Sequence, residues 1–588
     1  MSELSSINAP RNSAGRYLYQ QDCIFWITAA LLLFIYLWTP VLWGNEILQG
    51  EITREMIISG SWFRPLLNWQ ILPGEGGMGY WCNILFTRLL GENSFALRTP
   101  AALSALAALY ALRFLGEELF DRKTALLGCW LFLGSAGFLL MGRTAAFDMP
   151  GTAAVLLATA WAFHGRGKGS WGFPGYLIFY LFCFSGALFK DILTLFLPGV
   201  ILLPLMFSEG RWKEHLNMRH FLALLTTAVI VLLFIRVPYF FAPLPRSAET
   251  SLPELAFLTG FFRQITASFP SPGEWIEQMY RWWSDLFIYL LPWTLLLPVG
   301  LGGLLKRWKE LPKRTRLFAA SWGAAFLLCA IPGSALQGSI LPLSPFILLF
   351  SAAGFGSRGV ESWNRNLFKC AYYLTIVCAS FCIGSIICFP LWKAIAQATP
   401  PAALVLGPVV AGVLAWWALF TDHRKENSLS FLIGLPHPVA SVIVAWTLLS
   451  GCAMSVLLPE VRDVFNTEGR FFTALREAEK EHEFRSVSFM GVVPGAYLYY
   501  SNAQKAVEQT DDLKKITPGY EGEKFLVFFR DRKEIREAFT EQCKKYGIPE
   551  GKPFAAEALS RWSSPDSRNG KYVSYLITLP KERIKKNG

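Results

Sequence analysis

The chain predicts a polytopic α-helical membrane protein with a soluble α/β domain at its C-terminal end, outside the membrane. Of its 588 residues 53% are hydrophobic and only 17% charged, where a soluble protein usually carries about 25% charged residues. Apolar windows long enough to cross a bilayer recur from residue 23 to residue 457. At about Pro459 the composition changes, and the apolar runs beyond it are too short to span.

The windows lie near 23–43, 97–115, 124–141, 146–163, 174–190, 192–207, 221–241, 284–304, 317–335, 338–355, 370–390, 402–420 and 434–457. They give about thirteen transmembrane helices. The polar N-terminus leads into a first window too long for a signal-peptide core. The formal charge of +12 could suggest a nucleic-acid partner, but the basic residues fall in short runs between apolar segments. Such runs follow the positive-inside rule, and no nucleic-acid binding is expected. Arg122 and Lys123, Arg166 and Lys168, Arg211, Lys213 and Arg219, Lys306 to Arg316, Arg358 and Arg365, and Arg424 and Lys425 occupy alternate loops. With the N-terminus cytosolic, an odd number of spans puts the C-terminus on the outer face of the cytoplasmic (inner) membrane.

Residues 44–98, between the first and second windows, form a long outer loop. Glu46, Glu51, Arg54 and Glu55 share helical spacing there, with Trp62, Trp69, Tyr80 and Trp81 among them. Aromatic rings of this kind favour the membrane–water boundary, so the loop reads either as an interfacial amphipathic segment or as a catalytic loop. A second long outer loop covers about 242–283. Two such loops favour chemistry at the outer surface over transport, which places its site at the midplane.

The domain division expected is 1–458 for the membrane domain, including loop 44–98, and 459–588 for the soluble domain. Within the latter, 464–482 and 531–545 read as helices, and 484–490, 524–530 and 572–579 as strands. No glycine-rich phosphate loop or nucleophile elbow occurs in it, and a structural cap or docking module is the expectation. The 11 cysteines are scattered, most within apolar runs, and the 6 histidines do not cluster. Neither set has metal-ligand spacing; no cofactor is expected, and a divalent metal stays an open question.

Ionisable residues at the ends of spans are costly and therefore candidates for function. Arg98 opens the second span, Arg143 and Asp148 bracket the turn between the third and fourth, and Lys190 with Asp191 lies between the fifth and sixth. All map to the outer face. Cations beside a carboxylate at a lipid boundary suit a reaction on a lipid-linked phosphate, the cations holding the phosphate and the carboxylate activating a hydroxyl. A structural Arg143–Asp148 pair is the plainer alternative.

The chain resembles the aminoarabinose transferases of lipid A and the wider membrane glycosyltransferase family related to protein O-mannosyltransferases. Glu51-Ile52-Thr53-Arg54-Glu55-Met56 with Gly60-Ser61-Trp62, then Gly79-Tyr80-Trp81, Gly91-Glu92-Asn93 and Arg98, are similar to that family's loop motifs. Asp148 falls where a second functional aspartate is expected, Lys190 matches the lysine of a Thr-Lys-Gly, and Pro292-Trp293 matches a later Pro-Trp. The resemblance implies the C-type glycosyltransferase fold. It also implies an inverting transfer from a polyprenyl-phosphate sugar donor to a lipid or protein acceptor, among membrane lipids at the outer face.

Several positions depart from the pattern. Asn45 stands where the family has an aspartate, and an amide is no general base. Leu48 replaces an arginine, Gly74-Glu75-Gly76 replaces Glu-Lys-Pro, and Ser334 to Pro342 lack a lysine and a tyrosine. One reading keeps an enzyme in which Glu46, or else Asp148, replaces Asn45 as base while Lys190, Arg98 and Arg143 hold the donor phosphate. Because neighbours on a helix diverge by about 100°, that swap requires a turn at Gly44-Asn45. The other reading is a catalytically silent relative that binds a lipid-linked glycan or a partner enzyme.

Overall fold

The computed structural model of the chain describes residues 11–39, 45–61, 65–72, 77–165, 171–210, 212–241, 272–330, 340–355, 361–384, 402–420 and 439–459. Further on it describes 485–490, 495–502, 507–513, 524–530, 532–546 and 572–578, with single positions 42, 469, 472, 473, 476 and 493. Two compact units result: Met1–Pro40 with Pro73–Glu460, and Val41–Leu72 with Val461–Gly588. The boundary therefore differs from the expected break at 458/459. Part of the opening loop belongs with the C-terminal segment, and the remainder with the helices.

The first unit is helical. It begins with α1 (Arg11–Phe34); the next helix along the chain, α2 (Asn45–Ser59), belongs to the second unit. Next come α3 (Met78–Leu90), α4 (Ser94–Leu119), α5 (Arg122–Leu133), α6 (Ala136–Met141), α7 (Asp148–Gly165), α8 (Phe173–Phe189) and α9 (Ile192–Ser208). After these follow α10 (Trp212–His215), α11 (Met218–Phe241), α12 (Pro272–Tyr289), α13 (Leu297–Lys306), α14 (Lys313–Ala330) and α15 (Ile340–Phe355). The unit closes with α16 (Glu361–Gly384), α17 (Ala402–Phe420) and α18 (Val439–Cys452), the last continued by a wider turn over Ala453–Leu457.

Each apolar window is overlain by one or more of these helices. By length and composition alone, Ser94–Leu119 is the one helix among the described residues able to cross a bilayer unaided; the others are shorter apolar runs such as Phe173–Phe189 and Ile340–Phe355. Helix starts follow local chemistry: Asn93, Asp121 and Asp191 cap α4, α5 and α9 by accepting the backbone N–H of Ala96, Thr124 and Thr194. Packing relies on small residues. Ala101, Ala102, Ala105 and Ala108 are fully buried on α4, which lies against α5 and α7. Where α13 crosses α15, a Cβ on Gly354 would come within 1.6 Å of the Gly300 carbonyl oxygen, so these backbones meet only because both residues are glycine.

The second unit joins α2 and a two-residue hairpin, β1 (Leu66–Leu67) and β2 (Gln70–Ile71), to a four-stranded sheet. The sheet contains β3 (Arg485–Phe489), β4 (Glu508–Thr510), β5 (Lys524–Arg530) and β6 (Tyr572–Thr578), in the order β4-β3-β5-β6. Strand β3 runs parallel to β4 and β5, and β6 is antiparallel to β5. The strands expected near 484–490, 524–530 and 572–579 fall on β3, β5 and β6, and the helix near 531–545 is α20 (Lys533–Tyr546), which follows α19 (Gly495–Ser501). Most of the helix expected over 464–482 lies outside the described residues.

Strand β5 is apolar without alternation because both its faces are covered. Phe525, Val527 and Phe529 meet Val487, Phe539 and Cys543 on one face. On the other, Leu526 and Phe528 meet Phe472, Tyr497 and Leu498, with Ile47 of α2 and Leu67 of β1 packed against them.

Candidate active site

In the first unit the stranded charges sort into two groups. Helix α7 opens on Asp148 and the adjoining α8 closes on Lys190, so the pair faces each other across antiparallel helix ends. Each charge also complements its own helix, an anion at an N-terminus and a cation at a C-terminus. Lys190 Nζ donates to Asp148 Oδ1. The lysine side chain is 11% exposed and the aspartate 35%, so the pair sits at a margin that solvent reaches from the carboxylate side. Asp191 follows directly as the cap of α9. Asp148 thus pairs with Lys190, not with Arg143 as the plainer alternative had it.

Gly151, one turn into α7, lies close under this contact. A Cβ there would lie 3.0 Å from Lys190 Cβ and 3.4 Å from its Cδ, so the glycine leaves room for the lysine stem along α7 toward Asp148. No sequence signal marked Gly151. The Gly79-Tyr80 motif supports the same corner: Tyr80 meets the Phe147 ring edge-on at 5.1 Å, and a Cβ on Gly79 would strike that ring at 2.5 Å. Phe147 immediately precedes Asp148. The motif thereby sets the start of α7.

Arg98 and Arg143, expected to hold the donor phosphate, are buried and donate to main-chain carbonyls, Arg143 chiefly at the end of α1 and Arg98 in the turn that follows it. Arg143 donates to the carbonyls of Leu32, Leu33, Ile35 and Ser455 at 2.7, 2.8, 2.7 and 3.0 Å. Arg98 donates to the carbonyls of Leu37 and Thr39 at 3.1 and 2.9 Å, and to Thr39 Oγ1 at 2.9 Å. A helix end leaves its last carbonyls without intrahelical donors, and a guanidinium with five N–H groups satisfies several at once.

In the second unit α2 begins at Asn45, so the turn expected at Gly44-Asn45 gives way to helix at Asn45; Gly44 lies outside the described residues. Asn45 is exposed and Glu46 is buried. They point apart, and Glu46 does not occupy the direction Asn45 takes. Glu51 is fully buried and takes a two-pronged pair from Arg54, at 2.6 Å to Nη2 and 2.8 Å to Nε. Glu55, also fully buried, accepts the backbone N–H of Asn68 and Trp69, both at 2.8 Å. Burial, with Glu51 alongside, pushes the Glu55 carboxyl up to about 7 against the pull of those two donors. Glu75 and residues 334–339 lie outside the described residues.

An apolar cavity of about 430 Å³ opens among α8, α9 and α11, lined by Tyr180, Cys183, Phe184, Leu195, Phe196 and Met206 among others. Among the described residues no three His, Cys, Asp or Glu side chains gather as a metal site.

Residues 75–239, which hold Tyr80, Asp148 and Lys190, match the family described as dolichyl-phosphate-mannose-protein mannosyltransferase. The undecaprenyl phosphate-alpha-4-amino-4-deoxy-L-arabinose arabinosyl transferase of Shewanella sediminis is 24% identical over 443 residues, covering 72% of this chain and 74% of that one. The like-named protein of Edwardsiella ictaluri is 26% identical over 362 residues, and there the match covers 57% of this chain and 59% of that protein. In three dimensions the chain is similar to ArnT from Cupriavidus metallidurans bound to undecaprenyl phosphate, with a TM-score of 0.65 at 15% identity over 94% of this chain and 97% of that one. The apo form of that protein gives a TM-score of 0.60. These likenesses bear out the family resemblance carried by the loop motifs, and with it the helical membrane fold.

Proposed function

We infer that the protein is a membrane glycosyltransferase of this family, moving a sugar from a polyprenyl-phosphate donor to a lipid acceptor of the lipid A kind. One observation carries the reading: the Lys190–Asp148 pair lies at the C-terminal end of α8, the helix whose preceding turns line an apolar cavity. Cys183 and Phe184 line the cavity on α8, and Lys190 follows Phe184 by six residues, about 9 Å along a helix. A long isoprenoid phosphate has that same layout, one anionic head on an apolar chain.

In the reaction an acceptor oxygen attacks the anomeric carbon while the bond from that carbon to the phosphate oxygen breaks. The electron pair leaves with the polyprenyl phosphate. Lys190 serves the charge that develops there, as an ammonium fixed in place before the reaction. Asp148 holds the ammonium when no phosphate is bound and yields it when one is. For the acceptor proton we carry forward the carboxylate that the loop sequence offers in place of Asn45, Glu46 on α2 of the second unit. Attack from the face opposite the leaving phosphate makes the transfer inverting. The loop charges support a cytosolic N-terminus and a periplasmic C-terminal domain, and one-sided reporters at the C-terminus test this orientation.

Incubating the purified protein with an undecaprenyl-phosphate-linked aminoarabinose donor and lipid A tests the assignment. Mass increase of the acceptor by one sugar is the expected result. Donor binding without transfer would instead return the silent-relative reading, which the exposed Asn45 favours.

A further inference from the structure

The second unit contains a polar clamp that the transfer chemistry itself does not require. Arg54, already forked onto Glu51, sends Nη1 to Oδ1 of Asn502 at 2.9 Å. Asn68 pairs with the main chain of Val507 in both directions: its Oδ1 accepts the Val507 N–H at 2.7 Å, and its Nδ2 donates to the Val507 carbonyl at 3.1 Å. Glu55 holds Asn68 for this task through the N–H groups of the hairpin turn. Asn68, Trp69 and Asn502 all adopt left-handed backbone, with φ of 52°, 61° and 53°. Asparagine tolerates that region better than most residues, and here it also presents an amide.

Apolar packing alone would hold α2 on the sheet, since Ile47 and Leu67 already join the Phe528 cluster. Burying the Arg54–Glu51 fork beside them adds desolvation cost and little net stability. What directional bonds add is a fixed angle and register.

We infer that the C-terminal domain is the positioning platform of the transferase: Asn502 acting through Arg54, and Val507 acting through Asn68, set the orientation of α2 and hence of Glu46. Arg54, Asn68 and Asn502 are accordingly positioning residues. The inference rests on the transferase reading above. A misplacement of about 1 Å at a reacting group can cost a hundred-fold in rate, so the clamp governs turnover more than donor affinity.

The test uses the full chain in lipid nanodiscs with the Asn502→Gly, Asn502→Asp and Asn68→Ala variants. Glycine deletes the acceptor while keeping the left-handed backbone relaxed, and aspartate keeps an acceptor for Arg54. For Asn502→Gly we expect kcat to fall at least about ten-fold with donor KM within about two-fold of the parent. Amide exchange over 45–59 should quicken in Asn502→Gly and Asn68→Ala, and Asn502→Asp should restore both kcat and protection. Equal losses in the glycine and aspartate variants, or an unchanged kcat in the glycine variant, overturn the platform. A parent that shows no transfer removes the transferase reading instead; exchange over 45–59 then decides the clamp, and unchanged protection in Asn502→Gly overturns it.

Discussion

Replacing Lys190 with alanine removes the cation that pairs with Asp148 across the α7–α8 corner. Two effects should separate. Breaking a fully buried ion pair costs about 3–5 kcal/mol because the remaining charge is stranded. Asp148, however, is 35% exposed, so water recovers much of that loss and about 1–2 kcal/mol of stability is the expected decrease. The larger effect falls on the donor. A charge-assisted bond to a phosphate contributes about 1.5–3 kcal/mol, or roughly ten- to a hundred-fold in affinity. Asp148→Asn should move affinity the other way, since the carboxylate competes with the phosphate for the same ammonium; a gain of roughly two- to five-fold is expected, well under the full worth of the bond. Titrating labelled undecaprenyl phosphate into each variant in nanodiscs measures both. If Lys190→Ala binds the lipid phosphate as the parent does, Lys190 is a structural partner of Asp148 and the phosphate site lies elsewhere.

Three further outcomes follow from the geometry. Glu46→Gln should lower transfer by about 10²–10⁴-fold with donor affinity unchanged, whereas Asn45→Asp should leave turnover near the parent's, because the exposed Asn45 points away from the buried Glu46; transfer kinetics of both variants check the pair. Arg143→Ala should cost at least about 3 kcal/mol, read as a loss of thermal stability, because four main-chain carbonyls lose a charged donor. Glu55, raised from 4.5 to about 7, keeps its proton in the folded unit at pH values where the unfolded chain has released it. Stability of the hairpin region should therefore be greatest below about pH 4.5, decline as pH rises to about 7 and then level, by up to about 3 kcal/mol in all. Exchange protection of the Asn68 and Trp69 amides across that range, compared with Glu55→Gln, checks the sign; protection that improves with rising pH would contradict it.

The sequence by itself determined the parts of this protein that depend on composition and local pattern. Apolar windows became helices because a run of large apolar side chains has one low-energy arrangement in a bilayer, with every backbone group bonded within its own segment. Asn93, Asp121 and Asp191 were capable of starting helices wherever the chain later went. Strands β3, β5 and β6 were likewise legible in short apolar, β-branched and aromatic runs. The family motif around Gly79-Tyr80 could be seen, though its task of seating Phe147 beside Asp148 could not.

Only the tertiary structure decided the partners. Lys190, Arg98 and Arg143 are equivalent cations at span ends in the sequence, yet one meets a carboxylate and two donate to main-chain carbonyls at the end of α1 and in the turn after it. What separates them is which helix ends adjoin, a property of packing between segments far apart in the chain. Gly151 drew no notice because its value lies in the space it leaves for a lysine on another helix. The opening loop divided for a similar reason: Ile47, Arg54 and Asn68 have their partners more than four hundred residues away, at Phe528, Asn502 and Val507. Periodicity reports which face of a helix is buried, and the fold alone supplies what lies against it.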